Sequence, residues 1–182
     1  MSGDKSKVAG TKCSASDPMN NVRLGAARKR LAESRGQEDA IEGLREVVAN
    51  FLGSEEVGLF RVDRRTETFP VYWSFGIDLE KYDLLRALGD TGLRCVMRGE
   101  CFVERAARER SGTMAKAQAF IPLRVANQTI AILAIFRLLP QKLAFDGSDM
   151  ELFKLLSDEA AKPLFGPSAH SQPVTEEPGM RA

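Results

Sequence analysis

Three cysteines, one histidine and a set of scattered arginines are the residues of this 182-residue sequence with chemistry to offer. The histidine, His170, stands in a proline-punctuated tail and is read as a solvated side chain. That removes any histidine-based triad or dyad from the folded part. Cys13, Cys95 and Cys101 are odd in number and lack metal-ligand spacing, so neither a disulfide framework nor a metal site is expected. Cys95 and Cys101 read as small structural thiols, and the compartment as a reducing, cytoplasmic one. "GDTGLRC" (89–95) has glycines but neither the lysine nor the strand-to-helix setting of a phosphate loop. The expectation is a chain with no catalytic residues, no metal and no cofactor.

Binding chemistry is better represented. Phe69, Trp73 and Phe75 recur at period two, which on one strand points all three to a single face. Such a face either packs into a core or walls an apolar pocket, with a few polar groups fixing a ligand's orientation. Thr91, Arg94 and Arg98 lie by the glycine-rich turn and are the polar candidates. Arg94 has the planar fork that pairs with two oxygens of a carboxylate or phosphate. Trp73, Phe75, Thr91, Arg94, Met97 and Phe120 form the candidate pocket set. The opposite reading has Phe60, Trp73, Phe75, Met97, Phe102 and Phe120 filling that space themselves.

Several elements must position these residues. "VRLGAARKRLAESR" (22–35) and "EDAIEGLREVVANFL" (38–52) show helical stripes, Leu24, Ala27, Leu31 and then Ile41, Leu44, Val48, Phe51, Leu52. "EEVGLFRV" (55–62) and "FPVYWSF" (69–75) read as strands joined by the charged turn "DRRTET". "IDLEKYDLLRAL" (77–88) reads as a helix with Asp78 as N-cap and Ile77 and Tyr82 as a staple. A short helix (89–99), a brief strand "ECFVE" and a polar connection (105–116) follow. "AFIPLRVANQTIAILAIF" (119–136) is a hairpin with "ANQ" at its tip. The last helix opens at Asp146, with Phe145 and Met150 as a staple, and is broken or kinked by Pro163.

Neither hairpin strand alternates cleanly, so both sheet faces must be covered. The terminal helices cover one and residues 77–116 the other. Residues 1–20 and 167–182 read as disordered tails around a single domain, 21–166. The fold class is α+β, an antiparallel sheet of five to six strands with the terminal helices on one face and short helices and loops on the other. A formal net charge of +1, from 26 basic and 25 acidic residues, gives no field for drawing in nucleic acid or a membrane surface. No apolar run approaches the roughly 18 residues of a membrane span.

This order of elements resembles a GAF domain, a small-molecule sensor module, over residues 37–165. The matches are "EEVGLFRVD", "GLRCVMRGECFVE", and "AFIPLRVANQTIAILAIFRL" followed by "FDGSDMELFKLLSDEAA". Ala131 and Cys95 stand where the family often has glycine. The resemblance implies a six-stranded sheet, a pocket opposite the terminal helices, and homodimers formed through those helices. On that footing the basic run Arg28, Lys29, Arg30 and Arg35 is a solvated face that helps set dimer register. The chain is then expected to be a non-enzymatic regulatory domain that senses a small molecule or docks a separate protein partner, with no specific nucleic acid. An alternative is an interaction module with a filled pocket. A free methionine-(R)-sulfoxide reductase using Cys95 and Cys101 is the enzymatic alternative, but Arg94 stands where that branch's cysteine aligns. The cyclic-nucleotide signature Asn-Lys-Phe-Asp-Glu and the chromophore motif Asp-Ile-Pro are both absent.

Overall fold

A computed structural model describes residues 18–104 and 116–166. The tails 1–17 and 167–182 and most of the polar connection, together with Cys13 and His170, lie outside the described residues. Among the described residues five strands form one antiparallel sheet: β1 Ser54–Arg61, β2 Val71–Phe75, β3 Phe102–Val103, β4 Ala119–Val125 and β5 Gln128–Leu138. Their order is β2-β1-β5-β4-β3, so the longest strand, β5, sits at the centre. Centrality explains its composition. Ala131, Leu133 and Ile135 face one hydrophobic cluster, while Ile132, Ala134 and Phe136 face another. A strand buried on both faces has no solvent side to populate with polar residues.

The β4–β5 turn is two residues, Ala126 and Asn127, both at positive φ (48° and 63°). That is the twist a tight hairpin requires.

Helices α1 Pro18–Ala32, α2 Gln37–Val47, α4 Gly147–Glu159 and α5 Ala161–Phe165 pack on the first face. Pro18, Met19 and Asn20, expected in the disordered tail, are helical. In α2 the buried Ala40, Gly43, Leu44 and Val47 make a stripe at spacings of three and four. A π-helical turn, Val48–Leu52, continues it and ends at Gly53, whose φ of 66° suits a residue without Cβ. Asp146 caps α4 in a reciprocal box: it accepts from the Ser148 and Asp149 N–H groups, and Asp149 accepts from the Asp146 N–H. Phe145 packs edge-on against Phe153, 5.0 Å between ring centroids, and Met150 is exposed. The break before α5 falls at Ala160, and Pro163 lies inside the short α5, where the preceding turn has already ended.

The opposite face is covered by residues 77–83 and α3 Leu84–Met97. Here one expectation is corrected. Residues 77–83 are not helical: Asp78 accepts from the Glu80 N–H (3.0 Å) in a local turn, and Tyr82 N–H donates to Leu79 O (3.0 Å). The true N-cap is Asp83, which accepts from Arg86 N–H at 3.0 Å. The physical cause is tertiary, because this stretch turns inward to place Leu79 on the sheet. Gly89, at φ 59° and ψ 179°, kinks α3 into two pieces.

Candidate functional site

The candidate site is the sheet face under α3, where the sequence reading placed a pocket. Its floor is Phe60 of β1, Phe120 of β4, and Ile132, Ala134 and Phe136 of β5, all buried. Between them β1 carries Gly58, directly beneath Leu79. A Cβ on Gly58 would overlap Leu79 Cδ1 and approach Phe60 and Phe136 ring carbons at 3.1 and 3.3 Å. Leu79 is 2 % exposed. Glycine therefore makes room in mid-strand, and the chain's own leucine occupies it.

Tyr82 closes the cover. Its ring meets Phe136 edge-on at 5.1 Å and tilts against Phe60 at 5.8 Å. Its hydroxyl is buried and has no hydrogen-bond partner among the described residues. Burial pushes the phenol up to about 12, and the nearby Ala117 backbone offsets this only weakly. Leu84, Leu88 and Val96 of α3 complete the lid. Thr129 of β5 ties it down by donating its hydroxyl hydrogen to Val96 O at 2.7 Å.

The candidate residues do not come together. Of the six pocket candidates Phe120 alone lies in this layer, stacked on Phe102 at 6.3 Å. Thr91, Arg94, Met97 and Arg98 are on the exposed side of α3, whose inward positions are Leu88, Gly92 and Val96. Trp73 and Phe75 belong to the other face. Trp73 pairs across from Leu59 and packs against the terminal-helix cluster. Phe75 stacks on it at 6.4 Å and has the Arg45 guanidinium 5.0 Å from its ring centroid. Phe69 packs into the α3 layer instead, so the three aromatics do not share one face. The cause is a bulge: Leu59 pairs with Trp73 and Phe60 with Val71, leaving Tyr72 as the extra residue. One extra residue reverses the side-chain parity of everything beyond it.

Cys95 and Cys101 are free and half-buried. Burial pushes the Cys101 thiol up to about 11, with the Arg124 guanidinium pulling weakly the other way. Among the described residues no group of three or more His, Cys, Asp or Glu side chains is placed to hold a metal ion. No described helix is long and apolar enough to cross a membrane.

The sequence reading missed Leu79 and Tyr82 as the covering residues. Gly58 was the available signal, since a glycine inside an apolar strand marks close approach by another group.

Solved structures share this architecture. The GAF domain of an Acinetobacter phosphoenolpyruvate-protein phosphotransferase superposes with TM-score 0.59 at 17 % identity, over 86 % of this chain and 98 % of that one. The GAF domain of the Coxiella burnetii phosphoenolpyruvate-protein phosphotransferase gives 0.58 at 16 %, over 80 % and 92 %. Free methionine-R-sulfoxide reductase from Neisseria meningitidis, solved with its substrate, gives 0.51 at 20 %, over 86 % and 94 %. No protein-family model matches the sequence, and no curated protein matches it. The chain has the GAF fold.

Proposed function

We propose that this GAF-fold chain is a non-enzymatic regulatory domain that works by docking, with the pocket face of the fold filled by its own side chains. The observation that carries this reading is Leu79 seated on Gly58, with the Tyr82 ring packed on Phe60 and Phe136. What remains for recognition is the outer side of the terminal helices, through which the domain forms a homodimer or engages a separate protein in the cytoplasm. Catalysis is not part of the reading. At a pKa of about 11, Cys101 has only roughly one thiolate in ten thousand molecules at neutral pH, and the thiolate is the nucleophile.

A thermal-shift screen with cyclic nucleotides, amino acids, 2-oxo acids and haem tests the filled face. A ligand at a hundred times its Kd adds about 2.7 kcal/mol. In a domain of this size that raises Tm by roughly 5–10 °C. No shift is expected from any of them. Tyr82 supports a second reading, small-molecule sensing, because its unpartnered hydroxyl is a polar handle inside an apolar layer. A saturable shift that Tyr82→Phe removes would establish sensing in place of docking. Turnover of free methionine sulfoxide that Cys95→Ser abolishes would establish the reductase. For the dimer, light scattering at micromolar concentration is decisive, and a monomer throughout would remove that element.

A further inference from the structure

On the far side of the molecule a carboxylate is fully buried and has two cations. Asp149, in the first turn of α4, is bonded by Arg23 of α1 at 2.6 Å and by Lys142 of the β5–α4 connection at 2.7 Å. Its other oxygen accepts the Asp146 N–H at 2.9 Å. Arg23 also donates to the Ser148 hydroxyl (2.7 Å) and to the Phe51 carbonyl at the end of the π-helical turn. Neither Arg23 nor Lys142 is sealed in: their side chains are 18 % and 21 % exposed, against 0 % for Asp149.

The two cations belong to different kinds of element. Lys142 lies in the turn just beyond β5, and its N–H donates to Leu139 O at 2.9 Å. Arg23 rides on α1, a helix joined to the body by a short apolar stripe and several polar contacts. Only Ala27 and Leu31 are its buried apolar residues, with Leu24 partly so. Its other bonds to the body include Asn20 to Glu151 (2.5 Å), Arg28 to Glu159 (2.8 Å), and Arg30 to Asp39 (3.0 Å) and Glu46 (2.6 Å). Each of these has a partner open to water, so each adds little and weakens with salt. Asn20 Oδ1 is buried in the seam with no hydrogen-bond partner among the described residues.

Breaking a buried ion pair is normally prohibitive because it strands a charge in a dry site. Here it does not. When Arg23 leaves, Asp149 keeps Lys142 and the Asp146 N–H, and Arg23 passes into water. We propose that α1 is a strap that unlatches as a unit, Arg23 releasing Asp149 while Lys142 keeps the buried carboxylate paired. The latch stands independently of the docking function. If that reading holds, docked and released α1 are the two helix arrangements between which a partner selects.

Hydrogen exchange on the full chain tests it. In the wild type, amides of Leu24–Leu31 should exchange at least tenfold faster than those of Ile132–Ile135. Raising salt from about 0.05 to 0.5 M shortens the Debye length from about 14 to about 4 Å. That change should speed α1 severalfold and leave β5 unaffected, a readout that needs no variant. Arg23→Met should speed α1 further while β5 protection holds. Lys142→Met should do the opposite. With its second cation gone, Asp149 cannot release Arg23 without being stranded, so α1 and β5 rates converge. The proposal is overturned if α1 and β5 exchange together in the wild type, if salt moves them equally, or if the two substitutions shift α1 in the same direction.

Discussion

Leu79 and Gly58 make a contact whose two halves can be perturbed separately and together. Leu79→Ala removes a side chain that is 2 % exposed and leaves a cavity against Phe60 and Phe136, a loss expected to cost about 3 kcal/mol. Gly58→Ala puts a methyl group where Leu79 Cδ1 now sits. Its backbone is not in the positive-φ region, so the cost is steric, about 1–2 kcal/mol. The stiffer unfolded chain returns about half a kcal/mol of that. In the double variant the new methyl group occupies part of the cavity and meets no leucine. The sum of the single effects is about 3.5–4.5 kcal/mol, whereas the pair should cost about 2–3, a coupling near 1.5 kcal/mol. Urea unfolding followed by the fluorescence of Trp73, the sole tryptophan, measures all four species. Trp73 lies on the opposite sheet face and so reports unfolding without touching the perturbed contact. Additivity within about 0.5 kcal/mol would refute the account of how this face is filled.

Three further outcomes follow from particular residues. Asp146→Ala removes the acceptor of the α4 capping box and should cost about 1 kcal/mol in chemical denaturation. Ser148 and the capping N–H groups hold the Asp146 carboxyl below its ordinary value. The stability it adds is therefore complete above the ordinary carboxylate pKa and is lost as pH falls through the lowered one, so an acid titration should show a smaller slope in the variant. Ala126→Asn should stabilise the β4–β5 turn by about half to one kcal/mol, because asparagine tolerates the positive φ that alanine now adopts; an unchanged Tm would argue against the turn geometry. Cys101 should resist iodoacetamide at pH 7 in the folded protein and label rapidly in denaturant. Its contribution to stability should be intact below pH 9.0 and decline as pH rises toward about 11, where the folded-state thiol ionises.

Much of the scaffold was determined by the sequence alone, because its signals are local. The stripe of α2, the two-sided composition of β5, the hairpin at Ala126–Asn127 and the Asp146 cap each depend on residues within one or two turns of each other. Local periodicity also gave the right division of labour, with the terminal helices on one face and the middle segment on the other. Tertiary structure decided the rest. A single bulged residue moved Trp73 and Phe75 away from Phe69, and periodicity has no way to register an insertion that only the neighbouring strand defines. Leu79 reads as an ordinary helical leucine until Gly58, far back in the chain, opens a place for it. Arg23 and Asp149 are 126 positions apart, so their pairing exists only after α1 has been laid beside α4. Burial is a property of the assembled layers, and it alone turns these dispersed residues into a plug and a latch.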